Sequence, residues 1–161
     1  MSGTGAIIIS IAIIAVIAWA SIKSKKRLRE EGKIIEREAQ FYKNRVLFNT
    51  TATYPAVVDK MSRTDYSDIR ANIQTNVDGN ALILIRSAYE WEATLAHIDE
   101  QDGKNDFDFH FTSWKTENGR PKNDISMNML LTSIEKMFYE LDPQATMEMH
   151  KMQFSTKTSF F

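Results

Sequence analysis

The sequence predicts an α+β protein carried on an N-terminal membrane helix. Three observations lead there: a long uncharged apolar run at the start, a switch to two-residue apolar alternation in the middle, and one strongly periodic helix near the end. Composition agrees with a folded chain, since hydrophobic residues make up 43% and charged residues 25% of its 161 positions. Three segments are expected: a transmembrane anchor over 1–23, a basic amphipathic stalk helix over 24–48, and a soluble α+β domain over 49–161. The domain is expected to hold an antiparallel sheet of about five strands packed against one long helix.

The first segment reads AIIISIAIIAVIAWASI from Ala6 to Ile22, and no charged side chain precedes Lys23. From Thr4 to Ile22 it spans about 29 Å as a helix, close to the hydrocarbon thickness of a bilayer. A helix satisfies its own backbone groups there, and Trp19 suits the headgroup layer. Ala18-Trp19-Ala20 also fits a signal-peptidase pattern, but MSGTGA lacks the basic residue with which such peptides begin.

Lys23, Lys25, Lys26, Arg27 and Arg29 follow the run directly. Basic residues are retained on the cytoplasmic side, so the expected location is a cell membrane, crossed once, with the N-terminus outside and the domain cytoplasmic. The same five residues are the candidate membrane-surface contact with anionic headgroups. Charge is unevenly spread: Lys23–Leu47 carries nine basic and four acidic residues, a net of +5, and Phe48 onward nets −6. A short basic collar before an acidic domain is a poor nucleic-acid surface, and none is expected as a partner.

Over the stalk, Leu28, Ile35 and Tyr42 recur every seven residues beside Ile34, Phe41 and Phe48. That stripe on a charged helix suits packing on the chain's own domain or a short coiled coil, hence a homodimer through the stalk.

In the domain, Thr53 and Pro55 open a short helix with Val57, Val58 and Met61 facing inward. Ile69, Ala71, Ile73, Thr75 and Val77 then alternate with polar residues as a half-buried strand, Asp78-Gly79 signals a hairpin turn, and Ala81–Ile85 returns. Residues 87–98 satisfy both helical and strand spacing. The clean alternation of Phe107, Phe109 and Phe111 needs a partner, which favours a hairpin across DEQDGKN. Met127, Leu130, Leu131, Ile134, Phe138 and Leu141 mark the long helix, capped by Asp124 or Ser126 and ended by Asp142-Pro143. Thr146–Phe161 reads as a final strand, with a bulge near Lys151 where the apolar parity shifts.

Reactive chemistry finds little support. With no cysteine there is no disulfide, thiolate nucleophile or Cys-ligated zinc. GxSxG, HExxH and clustered phosphate-cradling glycines are missing. The acidic hairpin holding His97 and His110 is the one place a metal-dependent hydrolase could sit. Strand alternation puts His97 on the core side and His110 with Asp108 on the other. The six methionines from Met127 to Met152 suit core filling or an adaptable groove. No catalytic, cofactor-binding or metal residue is assigned. The expectation is a membrane-anchored, non-catalytic binding module with a protein partner; the alternatives are an assembly subunit multimerising through the stalk and the 97–110 hydrolase.

Overall fold

The computed structural model describes residues 3–77 and 80–152, with the side chains of 3–15 and 17 excepted. Two compact units emerge, Met1–Glu36 and Arg37–Phe161.

The first unit is dominated by helix α1, Gly3–Glu30. The helical stalk expected over 24–48 is corrected here: the helix stops seven residues into it. Gly32 supplies the reason. It takes a left-handed φ of 66°. Its N–H donates to the Arg29 carbonyl at 2.9 Å, and Lys33 N–H donates to the Leu28 carbonyl at 2.8 Å. Those paired bonds are a Schellman closure, which satisfies the last carbonyls and turns the chain out of the helix. Among the described residues, no helix is long and apolar enough to cross a membrane. Most of the apolar run read as a span, residues 6–15 and 17, lies outside the described side chains.

The second unit is an antiparallel six-stranded sheet in the order β2-β3-β4-β5-β1-β8. The strands are β1 Asn44–Thr50, β2 Ala71–Gln74, β3 Leu82–Ser87, β4 Trp91–Gln101, β5 Lys104–Trp114 and β8 Thr146–Lys151. A separate small hairpin joins β6 Thr116–Glu117 to β7 Arg120–Pro121. Helices α2 Tyr54–Arg63 and α3 Asp124–Leu141 complete it. The α+β class is therefore observed, with six strands in the main sheet.

β1 is the strand the helical stripe concealed. Phe41, Tyr42 and Phe48 are buried in the domain core and line no coiled-coil seam. Val46, Phe48 and Thr50 alternate inward from β1, and Phe48 stacks on Phe138 of α3 with ring centroids 4.3 Å apart. Around them, Phe107, Phe109, Phe111, Leu95, Ile83 and Ile85 fill the helix-side face of the sheet. Burial of such side chains contributes about 1.5–3 kcal/mol each before chain entropy is subtracted.

Within residues 87–98, Ser87 ends β3, residues 88–90 turn the chain, and 91–98 are strand, with β4 paired to β5 through the Asp102-Gly103 turn. Both turn residues have positive φ, 52° and 75°, as a two-residue hairpin turn with the right twist requires. The strand expected from Ile69 is shorter. Ile69 closes a 3-10 turn and Arg70 takes the left-handed conformation, so pairing begins at Ala71 and ends at Gln74. The Asp78-Gly79 turn lies outside the described residues. α3 is capped by Asn123, whose side chain accepts from the Ser126 N–H, in place of Asp124 or Ser126. β8 runs in unshifted register with β1 to Lys151. The expected bulge is not seen there, and residues 153–161 lie outside the description.

Candidate functional site

Helices α2 and α3 cover one face of the sheet, and the opposite face carries its polar chemistry. Gln74, Leu84, Thr94, His110, Arg45 and His150 stand opposite one another in an unbroken row across all six strands. A second row runs Leu82, Ala96, Asp108, Leu47, Glu148. Alternation makes both rows: each residue is one step from a core residue, and antiparallel pairing aligns the steps.

Asp108 is the centre of this face. Its side chain is 5% exposed, although it lies on the side away from the helices. Arg45 holds Asp108 Oδ2 from both Nη2 and Nε, the latter at 2.9 Å. His110 Nδ1 lies 3.3 Å from the other oxygen, and its Nε2 lies 3.4 Å from Thr94 Oγ1. Burial pushes the Asp108 carboxyl up, and the hydrogen bonds from His110 and Arg45 outweigh it, so the group sits below the ordinary carboxylate range. The Arg45 guanidinium is correspondingly raised by its hydrogen bond to Asp108. The result is a charge-assisted network in which the carboxylate stays ionised and is spent on its neighbours. At the margin, His150 Nε2 lies 3.4 Å from Glu148 Oε2 on the same face.

His97 belongs to the other side. Its Nε2 is 2.7 Å from Asn105 Oδ1, and its ring lies 5.2 Å from the buried Phe107 ring. The two hairpin histidines thus serve different faces. Among the described residues, no three His, Asp or Glu side chains gather to hold a metal ion.

The candidate lipid-contact residues lie on α1. Lys26 pairs with Glu30 at 3.8 Å, Arg27 with Glu31 at 3.5 Å, and Arg29 with Glu36 at 3.8 Å. Lys23 Nζ sits 5.0 Å from the centre of the Trp19 ring. Lys26, Arg27 and Arg29 are all more than half exposed, so these pairs are worth little in water and leave the cations accessible. Lys25 shares this solvent-exposed stretch.

Arg45 was legible only as charge. Its strand, RVLFNT, alternates with period two, but Phe48 also fits the helical line through Ile34 and Phe41, which hides the strand.

The fold and these two surfaces define an α+β protein of two compact units. Compared with protein-family models, with curated proteins and with solved structures, the chain matches none.

Proposed function

We propose that this chain is a single-pass, membrane-anchored, non-catalytic interaction module, with its N-terminus outside and its α+β domain cytoplasmic. The observation that carries the reading is the continuity of α1. One helix of 28 residues joins the uncharged run to all five basic residues, with no break between them. A rod of that composition seats its apolar part among acyl chains and its cationic end among anionic headgroups. The side-chain chemistry of the domain supports the binding half of the reading. Asp108, Arg45 and His110 are committed to one another, and the half-buried Leu47, Leu82, Leu84 and Ala96 beside them give the open face the mixed polar and apolar character of a protein-contact surface.

Protease accessibility tests the topology half. In membrane vesicles of known orientation, the domain is digested when the cytoplasmic face is outward and protected when it is inward. Digestion from the opposite side overturns the proposed orientation. Crosslinking in native membranes tests the binding half: a reproducible protein adduct on the open face supports it, and the absence of any such adduct from that face contradicts it.

A further inference from the structure

β8 forms one margin of the sheet. β1 occupies one of its edges, and among the described residues no strand lies on the other. An edge strand presents a row of backbone N–H and C=O groups to whatever can pair with it, and proteins usually blunt such edges with a proline, a bulge or an inward charge. β8 reads TMEMHK, holds no proline, and runs from Asn44↔Lys151 to Asn49↔Thr146 without a register shift. On the helix side, Met149 is 54% exposed while its neighbour Val46 is 1% exposed. On the open side, Glu148 and His150 are 74% and 52% exposed. The other margin, β2, is four residues long and offers only the polar Asn72 and Gln74 as exposed side chains, so it lacks an apolar anchor.

We propose that β8 pairs antiparallel with β8 of a second copy, continuing the sheet through a two-fold axis at Met149. The side chains choose both the occupant and the register. A two-fold of this kind sets each residue opposite its mirror position and keeps both helical layers on one side. Centred on Glu148, it would oppose two like charges, which destabilises a strand pair. Centred on His150, it would oppose two imidazoles and set Lys151 against Met149. Centred on Met149, it brings the two exposed thioethers together, sets each Glu148 opposite the other copy's His150, and lets each Lys151 stem lie along the other Met147. This self-complementarity singles out a second copy over an unrelated peptide. The inference uses only the domain, and stands or falls apart from the membrane reading.

The chain has no cysteine, so a single introduced thiol reports its own surroundings. The full chain carrying Met149→Cys, in detergent solution with a short bismaleimide, is expected to give a covalent dimer in clear excess over chains carrying Ile98→Cys or Tyr139→Cys. Those two positions are comparably exposed, at 54% and 47%. Adding Glu148→Lys to Met149→Cys lowers the yield about tenfold, the effect of losing two Glu–His cross-strand contacts and setting a cation opposite each imidazole. Adding His150→Glu as well restores it, and that rescue separates lost pairing from lost folding. Equal yields at the three cysteines overturn the proposal, as does a Glu148→Lys loss that the second reversal fails to restore.

Discussion

Arg37 grips both carboxylate oxygens of Glu135, at 2.9 and 2.6 Å, with side chains only 5% and 8% exposed. Nε and Nη2 also donate to Asn128 Oδ1 and Thr132 Oγ1, at 3.1 Å each. The pair therefore ties the first residue of the domain unit to the middle of α3. Removing one partner leaves a buried charge without its counterion, so Arg37→Ala or Glu135→Ala is expected to cost about 3–5 kcal/mol. Replacing both, as Arg37→Met with Glu135→Leu, recovers most of that loss. Urea denaturation of the three variants checks the order, and a double variant as unstable as the singles contradicts it.

A second tie joins α3 to β1. Asp142 accepts from the Thr51 N–H at 2.8 Å, the Gln144 N–H at 2.9 Å and the Thr50 hydroxyl at 3.0 Å. Those backbone bonds, above all from Thr51, hold its carboxyl down at about 2. Its folded value lies below its unfolded one, so the stabilisation is whole above 3.8 and is lost as pH falls through about 2. Asp142→Asn is expected to lower the denaturation midpoint at pH 6, and the gap to the unaltered chain narrows steadily between pH 4 and pH 2. A gap that stays constant across that range contradicts the assignment.

The strand identity of β1 makes a sharper contrast. Phe48 is 1% exposed and stacked on Phe138, so Phe48→Ala is expected to cost about 3–5 kcal/mol. Ile35, assigned to the same helical stripe by sequence, is 44% exposed, and Ile35→Ala should move stability by less than about 0.5 kcal/mol. Thermal melts of the two variants test this, and similar losses for both contradict it.

That contrast shows what the sequence could and could not reveal. The Phe107–Phe111 strand and the helix from Asp124 to Leu141 were legible because each shows one period with its own end signals. Residues 25–48 show two. Leu28, Ile35 and Tyr42 fit a helix, while Val46 and Phe48 with Arg45 and Leu47 fit a strand. Alternating charge makes the helix look continuous, yet Gly32 terminates it. Its effect depends on φ, which composition does not report. The Asp108 network was half visible: alternation placed His110 beside Asp108, but Arg45 came from a segment assigned to another element. Long-range pairing of β1 with β5 is a tertiary fact, set by core burial and invisible to local spacing.

Orientation is expected to depend on the collar. Substituting Lys23, Lys25, Lys26, Arg27 and Arg29 together by Gln removes the charge difference across the apolar run, and the positive-inside rule then no longer fixes which end is retained. A mixed population of both orientations should appear in protease protection, where the proposed topology gives one for the unaltered chain. An unchanged single orientation contradicts the role assigned to these residues.

Alkaline carbonate extraction of membranes from cells expressing the full chain is the decisive measurement for the proposal that the first helix holds this chain in a bilayer. A chain so held stays in the membrane pellet after extraction and is released only by detergent. Recovery of the intact chain in the carbonate supernatant would contradict it.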